Sequence, residues 1–394
     1  MKYEFDKTLD HKHNASYRWD LPGMPEDLIG MGTADLDYTC APCIRDALVP
    51  IAEENCYNYR QHTQKYYDAV TGWYKRCYGL EIRKEWLSNV PSTIGALRVA
   101  MGCFAKPGDA VLVQGPVFAP LTWAIDGAAC RLVRSELQLR GGRYEIDFDE
   151  FESVVAKERP KLFLLVNPHN PTGRVFTRGE LEKLVAICAR YGVKIISDEV
   201  HCLVLFDGCR HTPILAVNDT AKEISVQVVS LSKGYNIMSL PHAIVTIAND
   251  EMRGVWNKQI MAHSFGYAVN SFAIAAVTSI LQGEADEWMK QLTGYLRENR
   301  DHAVAYMKEN GFPLTPVIPE GSFLLWIDGR DSGIDPEHMS DYFLNRCHIY
   351  LNNGADFGAD GVGFFRMNFG VTKSVLEDAL RRMKEAFAAD GLLK

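Results

Sequence analysis

Three short polar strings in the middle of the chain hold the residues best suited to chemistry: NPHNPTG at 167–173, SDEVH at 197–201 and SLSKGYN at 230–236. They supply an amide at Asn170, a carboxylate at Asp198 and an amine at Lys233, each roughly one strand-helix-strand unit from the next. A lysine that can form a Schiff base and an acid that can keep a pyridine nitrogen protonated are what pyridoxal 5'-phosphate requires to act as an electron sink. Ser230 and Ser232 flank the lysine on a turn that could hold a phosphate with its backbone N–H groups. Upstream, PSTIGALRVAMGC at 91–103 places Ser92, Thr93 and Ile94 at the start of a helix, where free N–H groups and the helix dipole favour an anion.

Those strings must be carried to one place, and the apolar runs before them indicate how. Ala110–Val113, Leu162–Val166, Lys194–Ile196 and Val226–Leu231 are rich in β-branched residues and short enough to be buried strands. Between the second and third lies TRGELEKLVAICARYG. Its Thr177 and Glu180 form a capping box, Leu181, Leu184, Val185, Cys188 and Ala189 recur at helical spacing, and Gly192 closes the helix. Strand, capped helix and strand in this order imply parallel strands with helices on both faces. Ligands of such sheets sit outside the carboxyl ends of the strands, so the three polar strings should converge. Further on, long amphipathic segments at Asp286–Met307 and Thr372–Ala389 alternate with strand-like runs at Phe323–Ile327 and Gly363–Asn368. The expected fold class is therefore α/β, a large domain with a mostly parallel, doubly covered sheet, joined to a smaller α+β domain.

Composition removes several other classes. With 394 residues, 47% hydrophobic and 23% charged, the chain is neither disordered nor fibrous. A net charge of −8 without long runs of one sign argues against nucleic acid as a partner. No apolar stretch reaches the ~18 residues of a membrane span; the best, around Ala268 to Leu281, is interrupted by Asn270, Ser271, Thr278 and Ser279. The opening MKYEFDKTLD puts charges where a signal peptide would be apolar, so a cytoplasmic protein with reduced thiols is expected. Cys40 and Cys43 form a CxxC without a second ligand pair, and read as two unrelated cysteines at a helix start, with no metal. Gly358, Gly361 and Gly363 do not link a strand to a helix, so they read as a turn and not as a dinucleotide loop.

NPHNPTG ahead of SDEVH and SLSK resembles the fold-type I pyridoxal-phosphate enzymes, the aspartate aminotransferase superfamily, and the resemblance covers nearly the whole chain. It implies a large cofactor domain at 48–278 and a discontinuous small domain at 1–47 and 279–394. It also implies roles. Phe118, in QGPVFAP, would stack on the pyridine ring, Asn170 would bond the ring oxygen, Asp198 the ring nitrogen, and Lys233 would carry the cofactor. Arg366, in GFFRMNFG, would bind the substrate α-carboxylate as a bidentate pair. Tyr59, in YNYRQ, would reach the phosphate of a neighbouring subunit, which implies a homodimer with shared sites.

Two positions depart from ordinary aminotransferases of this fold: His201 stands where many have a tyrosine, and Pro241 where they have a phosphate-binding arginine. His201 is counted with the cofactor-binding residues. TADLDYTCAPCIRDAL, ISDEVH, SKGYNI, PEGSFLLWIDGR and the RWD at 18–20 look like the MalY/PatB-type branch of cystathionine β-lyases and cysteine C–S lyases. The resemblance then implies β-elimination on an amino-acid substrate such as cystathionine or an S-substituted cysteine. Lys233 would serve as base, its pKa lowered by desolvation and a neighbouring cation, and thiol, pyruvate and ammonia would result. Aminotransfer is the alternative, and a cofactor-binding regulator a third. Asn58 and His242 depart from the branch, at positions where it has glycine and a small residue; His242 is expected to be packed or exposed more than catalytic.

Overall fold

The runs expected to be strands are strands, and they lie side by side. The computed structural model describes residues 3–12, 14–265 and 269–394; Ala268, where the apolar stretch was taken to begin, lies outside them. Among the described residues the main sheet has seven strands: β1 (Leu87–Val90), β2 (Ala110–Gly115), β3 (Arg131–Glu136), β4 (Leu162–Val166), β5 (Lys194–Asp198), β6 (Ser225–Val229) and β7 (Ala243–Thr246). Their spatial order is β1-β7-β6-β5-β4-β2-β3. Every neighbouring pair is parallel except the two made by β7, which lies antiparallel between β1 and β6.

Both faces of this sheet are covered, which is why central β4 is one apolar run and β2, β5 and β6 are mostly apolar and do not alternate. Leu112, Phe163 and Ile195 point into one core while Val111, Leu164 and Ile196 point into another. Helix α1 (Thr93–Phe104) buries Ala96, Leu97 and Ala100 in the second core, and α2 (Arg178–Tyr191) buries Leu181, Leu184 and Cys188 in the first. The expected cap of α2 is present in both halves. The Glu180 N–H donates to Thr177 Oγ1 at 3.2 Å, the Thr177 N–H donates to Glu180 Oε2 at 2.7 Å, and Gly192 ends the helix at φ +70°.

A second, antiparallel sheet contains β8 (Thr315–Val317), β9 (Leu324–Asp328), β10 (Asn352–Asn353) and β11 (Phe364–Asn368), in the order β8-β9-β11-β10. Two long helices accompany it, α3 (Asp286–Glu309) and α4 (Lys373–Ala389), the latter burying Leu376, Leu380, Met383 and Phe387 on one stripe. The N-terminal Ile29–Gly30 pairs in parallel with Ile349–Tyr350, bringing the beginning of the chain to this later part. Cys40 precedes and Cys43 follows the first residue of the helix Pro42–Glu54. Gly358 and Gly363 adopt φ +119° and +81° in the turns before β11. Among the described residues no helix is long and apolar enough to cross a membrane.

Candidate active site

The strands β4 and β5 end at Val166 and Asp198, and both residues line a cavity of about 330 Å³. Ten of the twelve residues singled out from the sequence line it together: Ser92, Thr93, Ile94, Phe118, Asn170, Asp198, His201, Ser230, Ser232 and Lys233. Arg366 stands directly behind Asn170, its Nη1 donating to Asn170 Oδ1 at 2.9 Å. Tyr59 is the exception; it is 88% exposed and does not line this cavity.

At one end the groups suit an anion. Ser92 caps α1 by accepting the Gly95 N–H at 3.0 Å, and Ser230 Oγ lies 3.0 Å from Ser232 Oγ and 2.8 Å from the His242 carbonyl. Pro241 and His242 line the same cavity. His242 Nε2 is 3.0 Å from the Tyr66 hydroxyl and 2.9 Å from Asn89 Nδ2. An amide nitrogen only donates, so Nε2 accepts and the ring proton sits on Nδ1. Burial, with His62 nearby, pushes the pKa of His242 down to about 3, so this residue is a packed, neutral imidazole.

In the middle the groups suit a cationic ring. Asp198 is buried, accepts the Val200 N–H at 3.1 Å, and has its pKa pushed up to about 7, chiefly by burial. A cation held against its carboxylate would reverse that shift. Phe118 contributes an aromatic wall. His201 Nδ1 lies 3.0 Å from Ser322 Oγ; burial first, then the charges of Lys233 and Arg366, lower its pKa to about 3 and keep it neutral. Lys233 Nζ donates to the Ala34 carbonyl at 2.7 Å. Its pKa is lowered to about 8, burial outweighing the opposing pull of Asp35, with Arg366 adding to the lowering.

The far end is cationic. Arg366 is buried, and Nη2 donates to the Gly32 carbonyl at 3.0 Å and to Asn352 Oδ1 at 2.6 Å, all neutral acceptors. Its Nε is buried without a hydrogen-bond partner among the described residues, and burial lowers its pKa to about 9. A desolvated guanidinium surrounded by neutral acceptors is a place for a carboxylate. Serine donors and a helix start, an aromatic wall, a buried acid and an amine line the cavity, and a guanidinium stands behind Asn170. This donor set fits pyridoxal phosphate with an amino-acid substrate.

Sequence reasoning passed over the residues that support this set. Glu199 accepts from His211 at 2.8 Å and from Gln227 at 2.6 Å through Oε2, and from Ser197 and the Ile214 N–H through Oε1, next to Asp198 in the chain. Asn368 stands two residues after Arg366 on the same strand, a spacing that puts both side chains on one face and could have marked it. Asn352 and Gly32 carry no comparable signal.

A family model described as aminotransferase class I and II matches residues 26–383. The chain belongs to this family. Within the family, it is 30% identical to the cystathionine beta-lyase PatB of Bacillus subtilis, over 98% of this chain and 100% of that protein. Cystalysin from Treponema denticola, solved with pyridoxal 5'-phosphate, superposes with a TM-score of 0.94 at 26% identity, covering 99% of this chain and 100% of its own. The cofactor-bound C–S lyase of Staphylococcus hominis gives 0.90 at 26% identity, with 98% of each chain covered.

Proposed function

We propose that this class I/II family member is a pyridoxal-phosphate-dependent C–S β-lyase, releasing a thiol, pyruvate and ammonia from an S-substituted cysteine such as cystathionine. The observation that carries the reading is that Lys233 and Asp198 line one cavity with Asn170, to which Arg366 is bonded, and that among the described residues the acceptors of the guanidinium are neutral.

Bound pyridoxal phosphate supplies an electron sink for negative charge at the substrate Cα. The N–H groups of α1 with Ser92, Ser230 and Ser232 would hold the phosphate, and Phe118 would wall the ring. Asn170 would donate to the ring oxygen beside neutral His201, and Asp198 would hold positive charge at the ring nitrogen. Arg366 orients the α-carboxylate so that the Cα–H faces Lys233, whose Nζ takes that proton. A lysine with a pKa near 8 has a far larger unprotonated fraction at neutral pH than one at 10.5, which makes this proton transfer practicable.

Tyr59, exposed here beside the exposed Tyr57, completes the phosphate site of a second copy in this reading, so the working unit is a homodimer. The cofactor domain is residues 48–278, and the small domain 1–47 with 279–394. Ten unpaired cysteines suit a cytoplasmic enzyme.

Incubation of the purified, cofactor-loaded protein with cystathionine or an S-alkyl cysteine tests the reading. Thiol and pyruvate released over many turnovers without a 2-oxo acid are expected. Turnover only after 2-oxoglutarate or pyruvate is added would assign aminotransfer instead, and none under either condition would leave a binding protein.

A further inference from the structure

The segment Gly32–Tyr38 runs between the turn that carries Lys233 and the strand that carries Arg366, and its carbonyls are divided between the two. The Gly32 carbonyl accepts from Arg366 at 3.0 Å, and those of Thr33 and Asp35 accept from Asn368 Nδ2, each at 2.7 Å. On the other edge, the Ala34 carbonyl accepts from Lys233 at 2.7 Å, and those of Leu36 and Tyr38 accept from Asn236 Nδ2 at 2.8 and 2.9 Å. Asn236 Oδ1 also takes the Leu36 N–H at 3.2 Å. The strap lies close against the strand side: a Cβ on Gly370 would come within 2.5 Å of Leu36 Cδ2.

Two asparagines therefore grip one irregular segment from two sides, each beside a charged residue of the site. Asn236 is three residues after Lys233, in the left-handed conformation at φ +56° that ends its short helix. Asn368 is fully buried, and its Oδ1 accepts the Gly370 N–H at 2.7 Å. Backbone donors and acceptors that would otherwise be unpaired at this junction are satisfied, so the strap is held in one register.

We propose that Asn236 and Asn368 are positioning residues, which through this strap set the distance and orientation of Lys233 relative to Arg366. The assignment of base and carboxylate anchor rests on the function proposed above; the clamp itself rests on the hydrogen bonds. The Ala34 carbonyl, which accepts from Lys233 and so favours its ammonium form, lies between Thr33 and Asp35, both bonded by Asn368, and two residues before Leu36, bonded by Asn236. Asn368 fixes the strap where Gly32 meets Arg366, and so fixes the plane of the guanidinium.

Asn236→Gly keeps the left-handed backbone and deletes only the clamp; Asn368→Ala deletes the other. The first measurement needs no turnover: the rate at which cofactor-free protein captures pyridoxal phosphate, followed by visible absorbance across pH, reads the basicity of Lys233. Asn236→Gly should move its midpoint down by about half a unit or more, because a hydrogen bond to the charged form is lost. Asn368→Ala should raise KM for an S-alkyl cysteine by about tenfold, more than it lowers kcat, as loss of carboxylate orientation requires. Folded variants with wild-type midpoint and KM would overturn the proposal, as would losses that only parallel a fall in melting temperature. Wild-type protein that captures the cofactor but releases no thiol would overturn the lyase reading alone, since the midpoint shift is expected whichever reaction follows.

Discussion

Arg366 and Asn170 join β11 to the loop after β4 across 196 residues of sequence, the guanidinium donating to the amide oxygen at 2.9 Å. The contact leaves the positive charge of the arginine uncompensated. Substituting Arg366→Ala should lower kcat/KM for an S-alkyl cysteine on the order of 100-fold, the loss of a charge-assisted pair worth about 2–3 kcal/mol. Arg366→Lys should recover only part of it, because an ammonium cannot present two parallel donors. Steady-state kinetics on thiol release measure both.

The pKa of Lys233 near 8 sets a direction for pH. Capture of the cofactor needs the unprotonated amine, so its rate should rise with pH and level off above about 8. Stopped-flow absorbance on cofactor-free protein reads this curve, and Lys233→Ala should abolish it.

Asp198 makes the opposite kind of prediction, about stability. Its folded pKa of about 7 lies above its unfolded value, so the folded state binds a proton that the unfolded state has released. Cofactor-free protein should therefore lose stability as pH rises toward and through about 7. Asp198→Asn should remove that pH dependence and melt several degrees higher at pH ~8, while activity falls on the order of 100-fold or more. Melting curves at several pH values, set beside activity, test the pairing.

The homodimer proposed above predicts complementation. Tyr59→Ala and Lys233→Ala should each be nearly inactive, yet a mixture refolded together should recover about a quarter of wild-type activity, since half the dimers hold one intact site of two. No recovery would place Tyr59 outside the neighbour's site.

Neither residue of the α2 capping box, Thr177 or Glu180, lines the cavity. Thr177→Ala should cost about 1 kcal/mol of stability in denaturant unfolding and leave kcat unchanged.

Much of this organisation was legible in the sequence because the central strands are buried on both faces. Leu162–Val166 is one uninterrupted apolar run, and it ends where the chemistry starts. The cap of α2 could be read residue by residue for the same reason: its signals are local. Strands β1, β3 and β7 were not recognised. LSNV is only partly buried, and RLVRSE alternates charged with apolar residues at the sheet edge. Nothing in AIVT shows that β7 runs against its neighbours, because direction is decided by the chain's path after Lys233. The residues that line the cavity were legible where the side chain type itself suits the proposed chemistry. Asn236, Asn352 and Asn368 were missed because they act on backbone carbonyls and on Arg366, partners set by tertiary packing and not by spacing.

The strap has a consequence for the order in which the molecule is made. Its carbonyls at 32, 33 and 35 wait for donors 334, 335 and 333 residues further along. Chains emerge from the ribosome N-terminus first, so all strands of the main sheet, which ends at Thr246, can pair while β11 is still unsynthesised. A nascent chain can thus shape the cofactor cleft well before it can bind a substrate carboxylate. That last step comes only when β11 docks against a segment translated 334 residues earlier.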